Sequence, residues 1–131
     1  MKTRYVYPAL FSKEPCGYSV SFPDVEGCAT SGETIEEAIE MAQDALCLML
    51  YDKEERGEMI PIASDISKLV CGEGEFWTLI ECDTLEYRRY FDSKAVKKTL
   101  TIPAWLNTMA EREDINFSAV LQRALKTELG V

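Results

Sequence analysis

Between Val96 and Ile102 the chain carries one alternating segment, and after it only enough residues for two short helices. Val96, Lys98, Leu100 and Ile102 fall on one side of such a strand and Lys97, Thr99 and Thr101 on the other. Pro103 stops the strand and suits the first turn of a helix. Leu106, Met109 and Ala110 then recur at helical spacing over 104–113, and Asp114-Ile115-Asn116 reads as a turn. Asn116 is a good N-cap for a second helix, with Phe117, Val120, Leu121, Ala124, Leu125 and Leu129 as its apolar positions and Gly130 as its stop. A lone strand leaves both backbone edges unpaired. Two helices of this size cannot bury Leu100, Ile102, Leu106, Leu121 and Leu125 by themselves. Both deficits vanish if two copies pair strand to strand about a two-fold axis. Leu100 and Ile102 would then face a shared helical core, with Trp105 at a dimer or module junction. Lys97, Thr99 and Thr101 would stand outward on a two-stranded ribbon, an element that fits the DNA major groove.

Charge separates this tail from the rest. The whole chain has 14 basic and 23 acidic residues, net −9. Residues 1–93 hold 8 basic and 19 acidic side chains, whereas 94–131 hold 6 and 4. Lys94, Lys97 and Lys98 lie within five positions at the start of the second segment. Two modules with different partners are expected, 1–93 and 94–131, joined near Phe91-Asp92-Ser93-Lys94. An acidic surface excludes general nucleic-acid binding by the first module and suits a basic protein.

The first module reads as α+β in the order β-β-β-α-β. Arg4 to Phe11 predicts a strand, with Pro8 favouring an edge position or a bulge. Gly17 to Phe22 predicts a second strand hairpinned to the first, and Cys28 to Ser31 a third. Thr34 and Glu37 form a capping box for a helix. Its apolar face is Ile35, Ala38, Ile39, Ala42, Ala45, Leu46, Met49 and Leu50, and the charged run 52–56 continues or frays it up to Gly57. Phe76 to Cys82 predicts the fourth strand. One helix laid over one face of a small antiparallel sheet completes the layers.

Few routes to chemistry remain. Histidine is absent, which removes the commonest general base and metal ligand. Cys16, Cys28, Cys47, Cys71 and Cys82 include no C-x-x-C pair, so they are expected as reduced thiols of a cytoplasmic protein, with Cys28 serving packing. The chain enters a strand within its first residues, so no leader is expected, and no apolar run reaches the ~20 residues of a membrane helix. Asp24 and Glu26 are read as turn residues after Phe22-Pro23. A nuclease holding divalent metal on clustered carboxylates is the rival reading, but no set of strand carboxylates builds a two-metal site. No catalytic residue, metal, cofactor or small-molecule substrate is expected.

The tail from Lys97 to Pro103, with Leu106 and Asn116-Phe117-Ser118, resembles the ribbon-helix-helix DNA-binding unit. The first module resembles the HicB antitoxin domain, a partial RNase H-like fold. The residues carrying that likeness are Tyr7-Pro8-Ala9, Gly17-Tyr18-Ser19-Val20, Phe22-Pro23-Asp24, Glu26-Gly27-Cys28, Thr30, Gly32, Thr34 to Ala38, and Ile60-Pro61. The resemblance implies an antitoxin whose first module covers HicA, a small basic mRNA-cleaving toxin. It also implies a second module that binds operator DNA as a dimer or higher oligomer and represses its own operon. Lys94, Lys97, Lys98, Thr99, Thr101 and Asn116 are the expected DNA-binding residues. The lysines would attract phosphate, the threonines would offer single contacts to base edges, and Asn116 would open a helix N-terminus suited to phosphate. An orphan repressor without a toxin is the alternative.

Overall fold

The computed structural model describes residues 2–131, so residue 1 of the expected first module lies outside it. The described residues form two compact units, Lys2–Ser93 and Lys94–Val131.

The first unit is a mixed α+β layer. Strands β1 (Arg4–Glu14), β2 (Gly17–Ser21), β3 (Ala29–Gly32) and β4 (Glu75–Asp83) make an antiparallel sheet in the order β3-β2-β1-β4. Helix α1 (Ile35–Glu55) covers one face. Alternation sorts the side chains: Tyr5, Tyr7, Ala9 and Phe11 of β1, Val20 of β2, and Ile80 and Cys82 of β4 are buried with the helix. The helix buries a narrower stripe than its sequence predicts, namely Ala38, Ala42, Leu46 and Leu50 at intervals of four, while Ile39 is largely exposed. Small side chains at the first two positions bring its N-terminal half close to the sheet. Gly32 of β3 lies under that half, where an added Cβ would fall 2.5 Å from the Ala38 nitrogen. Thr34 caps the helix as expected, its Oγ1 accepting the Glu37 N–H at 3.1 Å.

Pro8 sits inside an interior strand, and the ladder explains how. Lys13 N–H donates to Gly74 O and Thr84 N–H to Thr3 O, each at 2.8 Å, at the two ends of the β1–β4 ladder. Odd-numbered residues of β1 therefore bond toward β4, and even-numbered ones point their amides toward β2. The β2 pairing stops at Leu10↔Ser21. The Pro8 nitrogen thus faces a stretch where β2 has ended, so no ladder bond is lost; the expected edge position is met locally, within a central strand.

Helix α2 (Thr84–Phe91) follows β4 directly and is absent from the β-β-β-α-β order read from the sequence. Asp83 caps it, accepting the Leu85 N–H at 3.0 Å and the Glu86 N–H at 3.4 Å. It docks on the end of α1. Arg88 pairs with Glu54 and Glu55, and Tyr51, Tyr87 and Phe91 stack in series with ring centroids 5.0 and 4.6 Å apart. The charged run 52–56 is therefore ordered helix up to Glu55, and Glu54 is its anchor. Its Oε1 pairs with Arg88 at 3.2 Å, and its Oε2 lies 3.1 Å from Thr84 Oγ1 and 3.2 Å from the Tyr5 hydroxyl.

Residues 58–74 cross from α1 to β4. The Tyr7 hydroxyl donates to Pro61 O, Asp24 holds Ser64, a 3-10 turn spans Ile66–Lys68, and the Trp77 indole donates to Val70 O at 3.1 Å.

The second unit contains α3 (Ala104–Arg112) and α4 (Phe117–Leu129). Both match the expected helices, and Gly130 ends α4 in the left-handed region at φ 72°. The strand expected at 96–102 is not formed in the single chain. A strand exists through its ladder, and this unit supplies no second strand to pair with.

Candidate partner and nucleic-acid interfaces

Two surfaces are candidates, one cationic and one acidic. The first lies in 94–103, where every residue is exposed. Lys94, Lys97 and Lys98 make no ion pair among the described residues, and Thr99 and Thr101 are exposed beside them. These five of the six expected DNA-binding residues therefore share one uncovered segment. Asn116 stands apart in chain order, and its observed role is the cap: its Oδ1 accepts the Ala119 N–H at 3.0 Å.

The chemistry available here is that of unpaired ammonium groups and hydroxyls facing water, beside apolar side chains with nothing over them. From Lys94 to Val131 every residue is exposed except Asn107, Ala110 and Leu121, which are half-buried. Leu100 is 63% exposed and Trp105 65%, and Ile102, Leu106, Phe117 and Leu125 are also open. Within one chain Leu100 and Ile102 are thus uncovered; the shared core in which they are expected belongs to two paired copies.

The second surface belongs to the first unit. Glu36, Glu40 and Asp44 line the exposed side of α1. Asp24 is turned to structural use, accepting the Ser64 N–H at 2.9 Å and the Ser64 hydroxyl at 2.5 Å on its two oxygens. Glu26 is exposed nearby. Among the described residues no three acidic or cysteine side chains gather as a metal site. The five cysteines are free thiols, with Cys28 and Cys82 buried, Cys16 and Cys71 exposed and Cys47 between. Among the described residues no helix is long and apolar enough to cross a membrane.

The sequence reading missed α2 and the crossing segment 58–74. A signal existed for α2: Asp83 followed three residues later by Glu86 is the capping pattern that revealed α1. For 58–74 the fixing bonds from Tyr7 and Asp24 span 54 and 40 residues and leave no local periodicity.

The chain is similar to known proteins. The family model described as the HicB-like antitoxin of bacterial toxin–antitoxin systems matches residues 7–124. An uncharacterised 14.9 kDa protein from the rep-hol intergenic region of Haemophilus phage HP1 is 31% identical over 101 residues, covering 77% of this chain and 75% of the phage protein. Antitoxin HicB of Escherichia coli K12 is 40% identical over 62 residues, 47% of this chain and 45% of that protein, so the alignment spans under half of the curated antitoxin. Among solved structures, a chain of a toxin–antitoxin complex from Streptococcus pneumoniae matches with TM-score 0.62 and 31% identity, covering 95% of this chain and 99% of that chain. The Burkholderia pseudomallei antitoxin HicB matches with TM-score 0.57 and 25% identity over 92% of this chain and 96% of that one.

Proposed function

Because the chain belongs to the HicB-like antitoxin family of bacterial toxin–antitoxin systems, we propose that it neutralises a basic HicA-type mRNA-cleaving toxin and represses its own operon. Residues 1–93 are the toxin-binding module, a partial RNase H-like fold. Residues 94–131 are a ribbon-helix-helix module that dimerises by pairing 96–102 of two copies and binds operator DNA. The protein acts in the cytoplasm by occlusion and needs no catalytic group of its own.

The observation that carries the repressor half is the uncovered state of the second unit. A lysine-bearing segment without a ladder partner and two amphipathic helices without a core would be completed together by one two-fold pairing. That pairing sets Lys97, Thr99 and Thr101 outward on a ribbon, with Lys94 and Lys98 adding positive charge beside it. Asn116 adds a capped helix N-terminus whose remaining amides suit a phosphate. For the toxin half, the charge of 1–93 supports a basic partner.

The test is co-expression with the product of the neighbouring reading frame. A stable complex and rescue of growth from that product are expected. Operator binding that persists without any such partner would leave an orphan repressor. Magnesium-dependent RNA cleavage by the pure protein, lost in Asp24→Asn, would replace the proposal with a nuclease.

A further inference from the structure

The free edge of β4 is bonded at both ends, and between them its backbone is unpaired although the crossing segment runs beside it: Gly72 O accepts the Glu75 N–H at 3.3 Å, Val70 O accepts the Trp77 indole N–H at 3.1 Å, and the turn Ile66–Lys68 touches the strand. Even-numbered β4 residues bond to β1, as the Thr84–Thr3 and Gly74–Lys13 bonds at its two ends require. The amides and carbonyls of Glu75, Trp77, Leu79, Glu81 and Asp83 therefore point away from the sheet. At one end the Cys71 thiol donates to Glu75 O at 3.4 Å, and at the other Gln43 of α1 donates to Glu81 O at 3.4 Å. Among the described residues nothing pairs with the backbone N–H or C=O of Trp77 and Leu79. An unpaired edge of this kind is a template for one more strand.

We propose that Trp77–Leu79 is the seat on which a basic protein partner lays an extended segment as a fifth strand, next to β4. The proposal deepens the toxin reading and rests on it. The two faces of the edge fix the chemistry of the incoming strand. On the α1 side, Glu40 lies one helical turn from Gln43, whose side chain reaches β4, with Asp44 beside it; both are exposed. On the other side stand Leu79, 52% exposed, and the half-buried Trp77. A strand that alternates Lys or Arg with apolar residues satisfies both faces at once. A second copy of this chain does not. A two-fold pairing centred on Thr78 sets Glu75 opposite Glu81 of the second copy, and one centred on Leu79 sets Glu75 opposite Asp83 of the second copy. Like charges directly opposite are unfavourable.

Amide hydrogen exchange by NMR on the full chain, alone and bound to the small basic protein encoded by the neighbouring reading frame, tests this. In the free chain, Trp77 and Leu79 amides exchange fast and Thr78 and Ile80 amides slowly. In the complex, Trp77 and Leu79 are expected to become at least 10-fold more protected. Leu79→Pro removes one edge donor without touching the β1 ladder, and is expected to weaken the complex at least 10-fold. Glu40→Lys with Asp44→Lys, on the exposed face of α1, is expected to do the same while the Thr78 and Ile80 protection certifies the fold. A complex that forms with Trp77 and Leu79 still exchanging fast overturns the edge and leaves the toxin reading standing. No complex at all overturns both. Protection of these two amides that rises with the concentration of the free chain assigns the edge to self-association and overturns the proposal.

Discussion

Asp24 holds Ser64 through both carboxylate oxygens, across 40 residues of sequence. This places the loop after β2 and the crossing segment 58–74 in one structure, with the Tyr7 hydroxyl bonded to Pro61 a few residues away. Asp24→Ala is expected to cost about 1 kcal/mol, the usual net worth of such bonds. Its clearer signature is local: limited proteolysis should cut between residues 62 and 70 faster than in the unaltered protein, with the sheet intact.

Gly32 permits a close approach of β3 to helix α1. A methyl group there would sit 2.5 Å from one Ala38 backbone atom and 2.7 Å from another, and neither can swing aside. Gly32→Ala is expected to destabilise the first unit by about 1–3 kcal/mol, the range for forced overpacking. Urea unfolding monitored at the tryptophans measures it.

Burial raises the Cys28 thiol from 9.0 to about 11 and the Tyr7 hydroxyl from 10.0 to about 12. In the unfolded chain both groups lose their protons at ordinary values. The folded form then holds protons that the unfolded form has released, so stability falls as pH rises from about 9 toward 12 and is unaffected by these groups below 9. Urea midpoints at pH 8, 9, 10 and 11 should decline, and Cys28→Ala should make the decline between 9 and 11 shallower. In the native protein a thiol-alkylating reagent should modify Cys16 and Cys71 first, with Cys28 and Cys82 protected until unfolding.

Lys97→Ala with Lys98→Ala should reduce operator affinity and flatten its dependence on salt. Each phosphate neutralised contributes about 0.9 to the slope of log affinity against log salt, so a dimer that loses four phosphate contacts has a slope lower by about 3.6. Titrations at several salt concentrations read both effects. Unchanged binding would move the DNA contact away from this segment.

Burial of Leu46 and Leu50 in α1 was legible because local periodicity and global packing agree there; β1 was legible as a strand, but not that Tyr5, Tyr7 and Phe11 are its buried side. Pro8 was legible in kind, since its missing donor demands an open side; where that opening lies depends on the length of β2, which only the register reveals. Helix α2 was overlooked because its eight residues are mostly aromatic and charged, and its anchor is the Arg88–Glu54 pair, a contact between residues 34 apart. The segment 96–102 shows the opposite case. Its alternation is plain, yet the single chain forms no strand there, because it supplies no second strand to pair with; in the proposed dimer that ladder is intermolecular.

A unit whose apolar side chains, apart from the half-buried Ala110 and Leu121, lie on its outside is expected to have no melting temperature independent of its partner copy. In the proposed dimer its order depends on concentration, and each tenfold dilution removes about 1.4 kcal/mol from the assembled form. Residues 94–131 should therefore answer to abundance before they answer to heat. Scarcity would loosen them while the sheet of the first unit persists, and the amount of chain present would itself become the signal.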